Sequence, residues 1–326
     1  MRLAGFLMII LFKLSVKVHE KMKHIIASSL LLFCLLPCNL SAHEVESPAD
    51  SSKVEKSTLY KALTFIGAYY PTSIIVMNNT WYKGKESVPF HFYNDNAGYL
   101  QVDKFGHMFG GYVYSYIGYF GLLKLGATRK EALIFGSTLG FVLQFPIEIM
   151  DGLHEGYGFS WGDIAANTMG SALVFGQELL FREQMVKYKF SYWESEYSKN
   201  SNGYYGETTM NRLLKDYNGH TYWFSMPLNK LVFKQSTPPW LNIAVGYGAN
   251  GMYGEFDNIT SYNGVPIPET ERYRQYLLSL DIDWTRIKTD SQFLKALFKG
   301  MAFVKLPFPT IEYNSKGQFK GYWIYY

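Results

Sequence analysis

Cysteine is nearly absent from this sequence, since its 326 residues include only Cys34 and Cys38. Both lie in a leader segment near the amino terminus, so disulfides and thiolate metal sites are excluded from the mature chain. The sequence also lacks a phosphate-binding glycine loop followed by Lys-Ser/Thr, a G-x-S-x-G elbow and an H-E-x-x-H pair. The common signatures of nucleotide-binding proteins, α/β-hydrolases and zinc proteases are therefore missing.

The leader, residues 1–42, has the pattern of a secretory signal peptide. Two lysines precede an apolar run that is too short for a bilayer span, and Leu-Ser-Ala follows it. Export with cleavage after Ala42 is predicted. A lipid anchor on Cys38 is the alternative, although Pro37 directly before it departs from the usual lipobox.

The positive charge of the chain comes from this leader. The chain has 31 Lys and Arg against 27 Asp and Glu, and residues 1–42 hold five basic residues and one acidic, which leaves 26 of each. No basic stripe remains to bind nucleic acid. Neither nucleic acid nor nucleotide is therefore an expected partner. Residues 43–57 are polar and contain Pro and Ser, as in a flexible linker.

Residues 58–185 contain four apolar segments and are predicted to form a helical domain. The first segment, 58–77, contains Pro71 and is expected to be a kinked helix. Asp103 is expected to cap a second helix that runs to about Leu125. Because helices that are apolar on every face need lipid or a larger protein to cover them, we predict a four-helix bundle embedded in a membrane or lying against one.

Capping signals mark the next two helices. Thr128 followed by Glu131 is a capping box, and this helix is expected to be broken or kinked near Pro146 and to end by Gly152. Ser160 opens the last helix in the same manner. Both segments are nearer in length to core helices than to full bilayer spans, so a buried position within the protein is the alternative to lipid.

Three short polar pairs interrupt these apolar helices. The members of each pair are three or four residues apart and therefore share one helical face. Charged groups among apolar helices are rarely kept without partners or a function, so one common cluster is predicted. The cluster consists of Asp103, Lys104, His107, Glu148, Asp151, Asp163 and Asn167.

The chemistry of this cluster has three interpretations. Asp103, His107, Glu148 and Asp151 could bind a divalent metal such as zinc, manganese or iron, although no cofactor is certain. The same groups could act as a general acid and base or bind a ligand without metal. In the third interpretation the cluster is structural, because Asp103 caps its helix and the carboxylates of the next helix pair with Lys104.

The combined motif D-K-x-x-H, E-x-x-D and F-S-W-x-D-x-x-x-N-x-x-G resembles a known family. It is similar to the YfiM-like family of predicted periplasmic lipoproteins of unknown function, and more distantly to VanZ-like membrane proteins. The resemblance covers roughly residues 60–182. It implies a cell-envelope protein and supplies no reaction.

The pattern changes to period two in residues 186–326, which predicts an antiparallel β-rich half and an α+β fold for the whole chain. The last residue is an aromatic on an alternating strand, as at the ends of outer-membrane barrels, but few of the strands reach spanning length. Strands are expected at 241–247 and 276–284, a hairpin at 310–326, and short helices at 208–216 and 291–299.

Two function classes follow from these observations. The first is a membrane-associated cell-envelope protein, periplasmic or outer-membrane-associated, with a structural or interaction role and with membrane lipid or envelope components as partners. The second is a membrane-linked enzyme or binder that acts on a lipid or a cell-wall precursor, with or without a metal.

Overall fold

The fold is α+β, as predicted, with helices before residue 182 and a six-stranded antiparallel sheet after it. The predicted signal peptide and linker, and most of the helix predicted at 58–77, lie outside the described residues. The computed structural model describes residues 84–231 and 237–326, together with Thr64, residues 70–72, Ile74, Ile75, Asn78 and Tyr82.

Three long helices form the first half of the described chain. The described residues among 64–78 are also helical, and the hydroxyl of Tyr70 donates to the carbonyl of Leu143 at 2.9 Å. The long helices are α1 Val102–Lys124, α2 Arg129–Asp151 and α3 Trp161–Phe181, and short helices follow at α4 Glu196–Lys199, α5 Thr209–Lys215, α6 Leu228–Leu231 and α7 Gln292–Gly300.

The start of α1 differs from the prediction that Asp103 caps it. The residue before the helix is Gln101, which has a left-handed backbone with φ 69° and makes no side-chain capping bond. Asp103 lies inside the first turn, where its carboxylate is engaged by Lys104 and Tyr217 instead of backbone N–H groups.

Helix α2 begins with the predicted capping box, since the backbone N–H of Glu131 donates to Thr128 Oγ1 and that of Thr128 donates to Glu131 Oε2. Helix α2 is not broken at Pro146, which lies within a continuous α-helical stretch, and it ends at Asp151 with Gly152 as its C-cap, as predicted. The irregularity is a π turn at Ala132–Gly136. The hydroxyl of Ser137 donates to the carbonyl of Leu133 there, a side-chain bond of the kind that bends helices.

Among the described residues, α2 is the one helix long and apolar enough to cross a membrane by length and composition. A third of its most apolar window is buried within the protein. Core helices of water-soluble proteins share such features, so membrane embedding stays a prediction.

Glycines bring the backbones of the three long helices into direct contact. A Cβ atom added to Gly170 of α3 would lie 2.1 Å from the carbonyl oxygen of Met108 in α1. A Cβ atom added to Gly140 of α2 would lie 2.0 Å from the carbonyl oxygen of Gly111 in α1. These distances leave no room for any side chain, so glycine fixes the spacing of the helices.

The second half of the chain forms the sheet, in the order β1-β2-β3-β6-β7-β8. The predicted strands, the hairpin and both short helices are present, while β1 and β2 had not been predicted. The strands are β1 Lys187–Tyr192, β2 His220–Pro227, β3 Leu241–Asn250, β6 Tyr273–Ile282, β7 Phe308–Asn314 and β8 Phe319–Tyr325, with a separate hairpin of β4 Ser261–Tyr262 and β5 Val265–Pro266.

The strands have a polar buried face. Strand β6 was predicted to be half buried, and its buried residues include Ser279 and Asp281, whereas Leu278 and Leu280 are exposed. Apolar side chains normally occupy the buried face of a sheet. The buried face of β6 is therefore largely polar, with Leu277 as its buried apolar residue, while its exposed face is apolar.

Residues Trp284–Ala302 fall in a separate compact unit. Its helix α7 is capped by Ser291, whose Oγ accepts a hydrogen bond from the backbone N–H of Leu294. Within this unit the rings of Trp284 and Phe298 pack with their centroids 5.5 Å apart.

Candidate functional site

Lys104 lies at the centre of the polar cluster. Its ammonium nitrogen is 2.6 Å from Oδ1 of Asp163 on α3, 3.0 Å from Oδ2 of Asp103 on α1, and 2.7 Å from Oδ2 of Asp95 in the loop before α1. The side chain is only 13% exposed. One ammonium group with three donors thus joins three carboxylates from three parts of the chain.

His107 lies one helical turn after Asp103 and also faces three carboxylates. Its Nε2 atom is 3.6 Å from Oδ1 of Asp163 and 3.9 Å from Oδ1 of Asp103. Its Nδ1 atom is 3.2 Å from Oε1 of Glu148, an ion-pair distance without the alignment of a hydrogen bond. The ring therefore joins the carboxylates of all three long helices.

Glu148 and Asn167 form the most deeply buried part of the cluster. Both residues are fully buried, and the amide of Asn167 donates to Oε1 of Glu148 at 2.9 Å. Buried polar groups of this kind are normally satisfied, because leaving them unpaired costs desolvation energy. Glu148 therefore depends on Asn167 and on the nearby His107 for its stabilisation.

Residues outside the predicted set also form hydrogen bonds at the edge of the cluster. The phenol of Tyr217, just before β2, donates to Oδ1 of Asp103 at 2.8 Å. The hydroxyl of Ser160, the residue that caps α3, donates to Oδ1 of Asp95 at 2.5 Å. These contacts tie the cluster to the sheet half and to the amino end of α3.

A left-handed turn positions Asp103 and Lys104. Tyr99, Leu100 and Gln101 have φ values of 44°, 50° and 69°, which are costly for residues with a side chain. Tyr247 in β3 donates to the carbonyl of Leu100, and the turn is further held by the side-chain bond from Arg274 to Gln101. Such strain persists only where the surrounding structure enforces it.

The electrostatics of the cluster favour two cations. Burial lowers the pKa of His107, but the charges of Asp103 and Asp163 and the contact with Glu148 outweigh burial and raise the pKa to about 10. The same two aspartates raise the pKa of Lys104 above its ordinary value although burial opposes them. Both groups are therefore charged at neutral pH.

The pKa values of the two aspartates, Asp103 and Asp163, shift in opposite directions. Burial raises the pKa of Asp103, but His107 and Lys104 outweigh burial and leave the pKa below its ordinary value. Burial is also the largest influence on Asp163, and there it prevails over the two cations, so that its pKa is raised. Asp103 is thus the more firmly ionised of the two.

The structure brings together the predicted cluster residues, with Asp151 at the margin, where the charges of Glu148, His107 and Asp103 still act on its pKa after burial and the bond from Tyr82. The carboxylate of Asp151 accepts a hydrogen bond from the phenol of Tyr82 at 2.6 Å. The predicted pairing of the α2 carboxylates with Lys104 is not what the structure has, because Glu148 is contacted by Asn167 and His107. The residues joined by direct contacts are Asp103, Lys104, His107, Glu148, Asp163 and Asn167.

Sequence reasoning missed Asp95 and Tyr217. Asp95 lies in an Asn-Asp-Asn stretch, which predicts only a turn. The sequence feature that could have pointed to it is its position shortly before Asp103 in a chain with few charges. Tyr217 is one of 27 tyrosines, and no local pattern distinguishes it.

The donor set can be compared with what a divalent metal requires. Ligand atoms of Asp103, His107 and Asp163 lie within 4.8 Å of one another. However, the Lys104 ammonium contacts both aspartates, and a histidine must be neutral to ligate a metal. A metal ion bound there would therefore have to compete with the ammonium group of Lys104 and displace the proton of His107.

Comparison with known proteins gives one match, to a family model that covers part of the chain. A family model described as "Predicted periplasmic lipoprotein (DUF2279)" matches residues 91–177. No curated protein and no solved structure matches the chain. The matched residues include Asp95, Lys104, His107 and Asp163, and so the polar cluster lies within the part of the chain that is similar to this family. As the sequence predicted, the chain is an exported protein associated with the cell envelope.

Proposed function

We propose that this envelope protein has a structural role and that its polar cluster fastens the three long helices to one another and to the sheet half. The observation that carries the proposal is the position of Lys104, whose ammonium group is within 3.0 Å of carboxylates from α1, α3 and the preceding loop. An ammonium group that neutralises three carboxylates at once is better suited to a structural role than to a catalytic one. The family description names no reaction, and the enzyme alternative therefore has no support.

The partners in the cluster support a role in holding the fold. Each long helix contributes at least one member, and Tyr217 adds a contact from the segment before β2. Truncating one partner of a buried charged pair leaves the other charge uncompensated. Removal of any one member of the cluster should therefore destabilise the packing of the helices on one another and on the sheet half.

A fourth helix at 58–77, the YfiM-like assignment and the membrane association of the helices remain predictions within this proposal. The helical residues described between 64 and 78 and the bond from Tyr70 to α2 agree with a fourth helix.

The metal alternative has a direct test. Protein purified without chelator should contain far less than one equivalent of zinc, manganese or iron per chain by plasma mass spectrometry, because Lys104 and protonated His107 occupy the space among the carboxylates. A stoichiometric metal that is lost in His107→Ala and retained in His91→Ala, a control histidine outside the cluster, would contradict the structural role.

The raised pKa of His107 gives an expected pH dependence. A proton held more tightly in the folded state stabilises the fold fully below the unfolded pKa of about 6.5, and this contribution is lost as the pH rises through about 10. The free energy of unfolding, measured with urea, should therefore decline between these pH values in the wild type. The decline should be clearly smaller in His107→Gln. Parallel curves for the two proteins would show that the ring is not held as a cation.

A further inference from the structure

The buried face of the sheet carries many polar side chains beside a small apolar cluster of Trp223, Ala244 and Leu277. Lys189 of β1 and Asp281 of β6 form an ion pair at 2.6 Å, and both residues are almost completely buried. These strands are separated by two others, so in a flat sheet their backbones would be about 14 Å apart. The sheet therefore curls strongly around its polar side.

Hydrogen bonds between strands connect the polar side chains of this interior. Asp281 also accepts from the hydroxyl of Ser225 in β2, which in turn accepts from the amide of Asn242 in β3. Glu312 of β7 accepts from Gln275 in β6 and from Tyr322 in β8. These polar side chains bond mainly to one another across the strands, although Oδ1 of Asp281 and Oδ1 of Asn242 have no hydrogen-bond partner.

The outward face of β6, β7 and β8 is apolar and exposed. The exposed fraction is 45% for Leu278, 57% for Ile311 and 89% for Trp323. None of the outward side chains along the middle of these strands carries a charge. They are Tyr276, Leu278 and Leu280 of β6, Ile311 and Tyr313 of β7, and Phe319 and Trp323 of β8.

The same face has an apolar cover at the other end of the sheet. Phe109 of α1 packs on Tyr188 and Phe190 of β1 and on Tyr222 of β2, with ring centroids 5.7 to 6.0 Å apart. The exposed part over β6 to β8 thus continues a surface that is already used for apolar packing.

We propose that the outward face of β6, β7 and β8 lies against the acyl chains of a lipid bilayer. Strands with polar side chains inward and apolar side chains outward have the alternation of membrane β-structure, and in water the opposite arrangement is favoured. Strand β6, with ten residues, reaches the length of a spanning strand, and the aromatic rings of Tyr276, Tyr313 and Phe319 suit the boundary with the headgroups. The chain is an envelope protein, so a bilayer is at hand.

A bilayer accounts for the face better than a protein partner does. Specific protein interfaces have a polar rim and about one hydrogen bond per 100 to 200 Å². The outward side chains over β6 to β8 are hydrocarbon and aromatic, and their backbone groups are paired within the sheet between β3 and β8. This inference does not depend on the structural role of the polar cluster.

The first test uses Trp323 as a reporter. Full-length protein is transferred from mild detergent into vesicles of phosphatidylcholine with brominated acyl chains, which quench tryptophan only on contact with the hydrocarbon. Quenching should exceed that in unbrominated vesicles, and Trp323→Phe should remove a measurable part of it. Equal quenching of the wild type and Trp323→Phe would overturn the proposal.

The second test compares two exposed apolar residues. Leu278→Asp should lower the partition coefficient for phosphatidylcholine vesicles at least about tenfold, because a charge on a lipid-facing strand is strongly unfavourable. Val265→Asp, at a residue of similar exposure in the β4–β5 hairpin, should leave partition unchanged. Equal partition of both variants, or a dimer in detergent-free buffer that does not bind vesicles, would overturn the proposal and, in the second case, assign the face to a second copy.

Discussion

Lys104→Met should lower the free energy of unfolding by roughly 3 to 5 kcal/mol, the usual effect of removing one partner of a buried charged pair. The substitution preserves most of the volume of the side chain and removes the charge that Asp95, Asp103 and Asp163 share. Equilibrium unfolding in urea at neutral pH measures the change. The matched control is Lys124→Met at the exposed carboxyl end of the same helix, for which a change below about 1 kcal/mol is expected.

The pH dependence of this defect separates lost charge from lost packing. Without Lys104, the pKa values of the remaining carboxyl groups in the folded protein should rise above their unfolded values. The folded state then binds more protons than the unfolded state, so the stability of Lys104→Met relative to the wild type should recover as the pH falls from 7 toward 4. A defect of equal size at both pH values, or equal stability of the Lys104 and Lys124 variants, would show that no charged network exists.

Gly170→Ala and Gly176→Ala should change stability in opposite directions although both substitutions lie in α3. Alanine is the better helix former, which favours each substitution by roughly 0.5 to 1 kcal/mol. At Gly176 no atom lies within 4 Å of the new Cβ, so that gain should be observed. At Gly170 the Cβ would lie 2.1 Å from the carbonyl of Met108 and 2.6 Å from the backbone nitrogen of Tyr112, so overpacking should destabilise the fold by roughly 1 to 3 kcal/mol or more.

Thermal unfolding of both glycine variants, with circular dichroism as the signal, is the measurement. The two substitutions would be equivalent only if α1 and α3 could move apart by roughly 1 Å or more at Gly170. Similar melting temperatures for Gly170→Ala and Gly176→Ala would therefore contradict the close backbone contact between α1 and α3.

Local signals in the sequence predicted the elements well. The capping box at Thr128 and the cap at Ser160 depend on side chains that bond within their own turn, so a short stretch contains the whole cause. The start of α1 was harder to predict. Aspartate is a common helix-capping residue, but the carboxylate of Asp103 is bonded to Lys104 and to the distant Tyr217 instead. Which face of β6 is buried was not evident either, since alternation gives the period of a strand and not its environment.

The candidate site was predictable to the extent that helical spacing determined it. The i, i+4 pairs of α1 and α3 face one another, as their sparse charges suggested, and Glu148 joins them from α2. Asp151, three residues after Glu148, turns to Tyr82, because the position of a side chain at a helix end depends on the loop it meets. Tyr217 reaches the site through the tertiary fold alone.

The left-handed turn before α1 also bears on the folding of the chain. Its neighbours are far away along the chain, since Tyr217 is 114 residues from Asp103, Tyr247 is 147 from Leu100, and Arg274 is 173 from Gln101. Contacts of such long range form slowly, because the closure of a large loop must precede any gain from the contact. The native backbone at the amino end of α1 therefore depends on bonds to β3 and β6, which follow it in the chain by more than 140 residues.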